Sequence, residues 1–301
     1  MPNNDARVPL QDRRTFLTTL GGAAIAASGI GALACANSTQ VAAMPGAATV
    51  QPRFGPVGVQ LYTVRDEMKK DVAATLARVA GIGYREVEFA GYFGRSPADI
   101  RALLDADGLT APSAHIPLAM LKSDLPGAIA AAKIIGHKYI TVPWIDESVR
   151  KSMDDWRGIA RDLNTIGGQV SREGLRLAYH NHDFEFTPIG GQIPYDMMLA
   201  ETDPALVSME MDLYWATKAG QSPLAYFAKY PGRFRMVHLK DSRGAPANEI
   251  TEVGSGTIDW RNIFAHRTQA GIEHFFVEHD QPTDAFGSIA KSYVYLSTLA
   301  L

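Results

Sequence analysis

The sequence predicts an α/β protein built as one (β/α)8 TIM barrel domain. Three observations carry that expectation. Short apolar runs alternate with helical patterns eight times between residues 57 and 298, the mark of repeated βα units on a parallel sheet. Within the apolar runs, polar residues recur at every second position, so each strand has one greasy and one chemically equipped face. No glycine-rich nucleotide turn follows the first strand, where Gln60-Leu61-Tyr62-Thr63-Val64-Arg65 stands instead, which argues against a doubly wound open sheet.

The elements are expected in strict order. A strand over Val57–Tyr62 precedes a helix over Val72–Ala80 that Gly81 closes. Strand Tyr84–Phe89 leads to helix Pro97–Ala106, with Ser96 as N-cap and Gly108 as stop. Strand Thr110–His115 is followed by helix Leu125–Ile135, ended by Gly136, and strand Lys138–Val142 by a long helix over Met153–Arg172. A strand within Gly174–Phe186 precedes a short helix from about Tyr195, and Leu206–Leu213 is the sixth strand. Helix Pro223–Lys229, strand Phe234–Leu239, helix Ile258–Ala270, strand His274–His279 and helix Asp284–Thr298 complete eight units. Gly254-Ser255-Gly256-Thr257 is too short and misplaced for a phosphate loop and reads as a connection.

Composition narrows the function. With 301 residues, 46% hydrophobic and 20% charged, the chain has ample material for a globular core. A net charge of −3 gives no basic footprint for nucleic acid or an anionic membrane. The single cysteine, Cys35, excludes an internal disulfide framework and a cysteine-built zinc site. Residues 1–36 read as a twin-arginine export signal. Arg13-Arg14 precedes an uncharged Ala- and Gly-rich run, and both Ala32-Leu33-Ala34 and Ala34-Cys35-Ala36 suit cleavage. Residues 37–54 then form a linker and 55–301 the barrel. Export of this kind places the mature protein in the periplasm, with no stable membrane insertion once the signal is removed.

Parity sorts the strand residues. Val59, Val87, Met209, Met211, Val237 and Val277 share the outward face that packs on the helices. Gln60, Glu88, Glu210, Asp212, His238, Lys240 and Glu278 share the inward one, as do His180 and His182 of Tyr179-His180-Asn181-His182-Asp183-Phe184-Glu185-Phe186. Barrel chemistry occurs at the C-terminal strand ends, where these polar residues gather. His180, Asp212, His238 and Glu278 come from four successive strands. Two imidazoles and two carboxylates on one mouth suit a single divalent ion, with Mn²⁺ the first choice ahead of Co²⁺, Fe²⁺, Mg²⁺ or Zn²⁺. Without a cation, the like-charged carboxylates of such a cluster would repel one another.

Gly58-Val59-Gln60-Leu61-Tyr62-Thr63-Val64-Arg65-Asp66, the histidine stretch, Asp212-Leu213-Tyr214-Trp215 and His238-Leu239-Lys240-Asp241 together resemble the xylose isomerase-like TIM barrels that include sugar phosphate isomerases and epimerases. The resemblance covers the barrel region. It implies one divalent metal held by Glu, Asp, His and Glu on the fifth to eighth strands, and Asp212, His238 and Glu278 match the last three. His180 stands where those epimerases carry a Glu that also moves a proton, a departure that weakens the case for plain two-carboxylate epimerisation.

The chemistry expected is proton abstraction α to a carbonyl, assisted by the metal. His182 is the candidate base or acid. Glu278, as the resemblance implies, relays a proton as well as ligating, and Lys240 polarises a hydroxyl or neutralises Glu210. Gln60, Glu88 and His115 line the rest of the mouth as substrate contacts, and Trp144 and Trp215 offer stacking faces for a sugar. Apart from isolated Arg243, no arginine or lysine cluster awaits a phosphate. The reading is an isomerase or epimerase of an unphosphorylated sugar or keto-sugar. The alternatives are a lyase eliminating a β-oxygen substituent from a keto-glycoside or inosose, and a sugar-binding barrel without catalysis.

Overall fold

Eight parallel strands hydrogen-bond in the spatial order 58–60, 274–277, 234–239, 207–212, 176–180, 139–142, 110–115 and 86–89 and close on themselves. They are β1 (Gly58–Gln60), β2 (Glu86–Phe89), β3 (Thr110–His115), β4 (Tyr139–Val142), β5 (Arg176–His180), β6 (Val207–Asp212), β7 (Phe234–Leu239) and β10 (His274–Val277). This computed structural model describes Pro52 and residues 55–300. The export signal and nearly all of the linker expected from the sequence lie outside the described residues. Among the described residues no helix is long and apolar enough to cross a membrane.

The alternation of side chains resolves into two separate apolar regions. Outward residues such as Val59, Val87, Met209, Met211, Val237 and Val277 merge with the helices into one core. Tyr139, Ala178, Met236 and Phe276 point inward and form a small apolar plug of their own. The plug explains Gly58: a Cβ there would lie 2.6 Å from the Phe276 ring. Above the plug, towards the C-terminal strand ends, the inward positions turn polar, as barrel architecture leads one to expect.

The helices follow their caps. Over Met153–Arg172 the buried positions Met153, Trp156, Ile159, Ala160, Leu163, Ile166, Gly167 and Val170 recur at helical spacing, and Ser152 with Asp155 forms a capping box. Several boundaries depart from the sequence expectation. The first helix runs through Gly81 to Ile82 and stops at Gly83, whose φ of 128° excludes most side chains. A separate helix, Arg65–Lys70, precedes it. The expected helix over Ile258–Ala270 is two short ones, Trp260–Ala265 and Arg267–Ala270. Leu118–Ser123 is an additional helix. Strand β6 ends at Asp212, and Leu213, expected in the strand, opens a helix to Lys218. After β7 the chain makes a small antiparallel hairpin, β8 (Asp241–Ser242) with β9 (Ile250–Thr251).

Candidate metal centre

The switch from strand to helix at Asp212 sets the geometry of the site. Its Oδ1 caps the new helix by accepting from the Trp215 backbone N–H at 2.9 Å. That leaves Oδ2 turned into the barrel. Asn181 fixes the same residue from the neighbouring strand end, accepting from Asp212 N–H at 3.1 Å and donating to its carbonyl at 3.4 Å.

His180 ends β5. Its Nδ1–H donates to the Pro143 carbonyl at 3.2 Å, so Nε2 carries the lone pair. That buried Nε2 has no hydrogen-bond partner and lies 3.4 Å from Asp212 Oδ2, whose nearest cation is the Lys240 ammonium at 3.0 Å. Burial, followed by the charge on His238, lowers the His180 pKa and favours its neutral form. An orphaned imidazole nitrogen facing a buried carboxylate oxygen is a donor pair that a cation would satisfy. Ligand atoms of His180, Asp212, His238 and Glu278 all lie within 4.8 Å of one another, and all four residues are buried. This donor set fits a divalent ion of the Mn²⁺-to-Zn²⁺ group.

His238 stands at the centre. Its Nδ1 lies 2.7 Å from Glu278 Oε2 and its Nε2 2.7 Å from Glu88 Oε2. Burial lowers the His238 pKa, but Glu210 and Glu278 outweigh that and hold it well above the usual imidazole range. A second group of carboxylates and imidazoles, Glu88, His115, Glu210 and His238, is equally close-set. This second group is largely satisfied from within. His115 Nε2 lies 2.8 Å from Glu210 Oε2 and 3.2 Å from Glu88 Oε2. Burial pulls the His115 pKa down, and Glu88 and Glu210 push it up to about 9.

Lys240 is 2% exposed, with Nζ 3.0 Å from Asp212 Oδ2, 2.9 Å from Glu278 Oε2 and 2.8 Å from Asp280 Oδ1. Burial would lower its pKa, but Asp212, Asp280 and Glu278 raise it well above normal. The sequence reading allowed Lys240 to neutralise Glu210. In the structure, Glu210 is served by His115 and His238 instead.

His182 lies just past β5, 5.0 Å from the His180 ring, stacked on Phe184 at 5.4 Å and 5.5 Å from Trp215. Its buried Nδ1 has no hydrogen-bond partner. Burial, His180 and Lys240 lower its pKa well below normal. Glu185 returns from the next turn to accept from His182 N–H at 2.8 Å and from Tyr179 Oη–H at 2.7 Å.

The remaining expected site residues divide. Half-buried Trp215 shares the mouth with Lys240, whose Nζ lies 5.5 Å from its ring centre. Trp144 follows β4 and is half-buried. His115 retains 11% side-chain exposure. Gln60 and Glu88 are fully buried and hydrogen-bonded to each other at 2.8 Å. Arg243 is exposed and pairs with Glu249 at 3.7 Å. Sequence reasoning left Glu210 without a role of its own and missed Asp280, Asn181 and Glu185. Asp280 had a usable signal, since it continues the inward parity of Glu278.

Residues 76–291 match the family model described as the xylose isomerase-like TIM barrel. The chain belongs to that family. Within it, the chain is 23% identical over 269 residues to an inosose dehydratase of Lacticaseibacillus casei, which covers 76% of this chain and 89% of that protein. An inosose dehydratase of Geobacillus thermodenitrificans is 29% identical over 169 residues, 51% of this chain, and the match spans only 55% of that relative's length. A sugar phosphate isomerase/epimerase from Parabacteroides distasonis superposes with a TM-score of 0.73 at 25% identity, over 84% of this chain and 96% of its own. The IolI protein with a bound zinc atom superposes with a TM-score of 0.66 at 13% identity over 81% and 98% of the two chains, a likeness of fold alone.

Proposed function

We propose that this protein is a divalent-metal-dependent lyase that removes water from a cyclic polyhydroxy ketone of the inosose class. The sequence reading placed isomerisation or epimerisation first. The relatives named inosose dehydratase weigh towards the elimination held as its alternative. One observation in the site carries the reading: an unpartnered neutral imidazole and a charged ammonium flank the same mouth, at His182 and Lys240.

Dehydration needs a base for the proton α to the ketone and positive charge for the departing β-hydroxyl. The neutral His182 imidazole takes the proton and passes it to the departing hydroxyl, which leaves as water. Lys240 faces the developing negative charge, with Asp212, Glu278 and Asp280 holding its ammonium in place. Half-buried Trp215 offers the ring face on which the carbocycle rests. His180, Asp212, His238 and Glu278 would hold the metal, which supplies Lewis acidity to the ketone oxygen and its neighbouring hydroxyl. Mn²⁺ is the first ion to test.

Product analysis decides the matter. Incubation of the Mn²⁺-loaded protein with an inosose in D₂O should give a dehydrated keto product that chelation prevents. An isomer or epimer formed without loss of water would restore the earlier reading. Binding that is indifferent to chelator, with no exchange of the α-proton, would leave a sugar-binding barrel.

A further inference from the structure

We infer that Glu88 is a positioning residue for the metal ligand His238, and that the first half of the barrel exists at this level to aim one imidazole of the second half. The inference rests on the metal reading of the preceding subsection. For His238 Nδ1, beside Glu278 and Asp212, to be the ligating nitrogen, the ring proton has to sit on Nε2. Glu88 Oε2 lies 2.7 Å from that nitrogen and accepts its proton. A carboxylate on the far side of a ligating imidazole fixes its tautomer and orientation and raises its basicity.

Glu88 is itself held from the two strands beside its own. Gln60 Nε2 donates to Oε2 at 2.8 Å, and Gln60 is oriented by the Tyr62 backbone N–H, which donates to its Oε1 at 3.0 Å. Ser113 Oγ–H donates to Glu88 Oε1, and Ser113 Oγ lies 2.9 Å from Thr141 Oγ1. The chain of hydrogen bonds thus runs from β1, β2, β3 and β4 across the barrel to β7. Gln60, Glu88, Ser113, Thr141 and His238 all have 0% exposure. Glu88 has no exposed surface at the mouth, and its polar contacts are with other buried side chains. None of the four strands β1 to β4 contributes to the group His180, Asp212, His238 and Glu278.

The test is Mn²⁺ binding by calorimetry to the whole chelator-treated protein, with no substrate present. Glu88→Gln preserves volume and still accepts from Nε2–H but removes the charge. It should weaken Mn²⁺ binding about 10- to 100-fold and alter the visible spectrum of the Co²⁺ form. Ser113→Ala, which leaves the carboxylate in place, should shift affinity in the same direction and by less. Mn²⁺ affinity in folded Glu88→Gln within about two-fold of wild type overturns the inference while leaving the lyase reading intact. Retention of Mn²⁺ by Asp212→Asn with its loss from Glu88→Gln also overturns it, by placing the ion in the group of Glu88, His115, Glu210 and His238. A wild-type protein that takes up neither Mn²⁺ nor Co²⁺ removes the metal reading and this inference with it.

Discussion

Replacing Lys240 with methionine removes the one ammonium shared by three carboxylates while retaining an unbranched side chain of similar length. Nζ lies 3.0, 2.9 and 2.8 Å from Asp212, Glu278 and Asp280, and the exposures of Lys240, Asp212 and Glu278 are 2%, 0% and 6%. Breaking a buried ion pair from one side costs about 3–5 kcal/mol, because the remaining charge is left uncompensated. At roughly 2–4 °C per kcal/mol for a domain near this size, the melting temperature of the chelated variant should fall by roughly 6–20 °C. A divalent ion can replace the lost charge, and it no longer shares Asp212 Oδ2 and Glu278 Oε2 with an ammonium. At about a thousandfold excess over its dissociation constant, ligand binding stabilises by about 4 kcal/mol. Because wild type gains from Mn²⁺ as well, the variant's tighter binding should narrow the gap between Lys240→Met and wild type, while turnover stays low for want of the charge facing the leaving hydroxyl. Melts in EDTA and in Mn²⁺ check this. An unchanged melting temperature in EDTA, or the same gap in both buffers, would show that Lys240 does not balance the metal-binding carboxylates.

Acid stability tests a different part of the molecule. His137 is 3% exposed, donates from Nδ1 to the Ala111 carbonyl and accepts at Nε2 from Tyr92 Oη–H. Burial lowers its pKa to about 4. The unfolded chain, titrating near the ordinary value of about 6.5, therefore binds a proton that the folded chain refuses. Its contribution is intact above that value and fades as pH falls to 4, by about 3 kcal/mol in all. His137→Gln should flatten the pH dependence of urea unfolding between these limits, and an unchanged slope would count against it. If residues 1–36 act as the export signal expected from the sequence, exchanging Arg13 and Arg14 together for lysine should keep the precursor in the cytoplasm. Normal periplasmic recovery on fractionation would argue against the twin-arginine route.

The sequence by itself determined the barrel and which residues look inward. Strand side chains alternate with a period of two imposed by the backbone, so Val207, Met209 and Met211 could only oppose Ser208, Glu210 and Asp212. Repeating units of strand and helix then left little choice but closure. Boundaries were less legible. Gly81 looks like a stop, yet Gly83 is the residue with positive φ, and Leu213 looks like strand until Asp212 is seen capping a helix. What only the tertiary structure decided is who pairs with whom. Glu88 and His238 lie 150 positions apart and meet at 2.7 Å, and Lys240 serves Asp212, Glu278 and Asp280 in place of Glu210. Parity gives the face of each side chain but not its height. Height follows from the stagger of strands around a closed sheet, and the final partner from the rotamers that the surrounding packing permits.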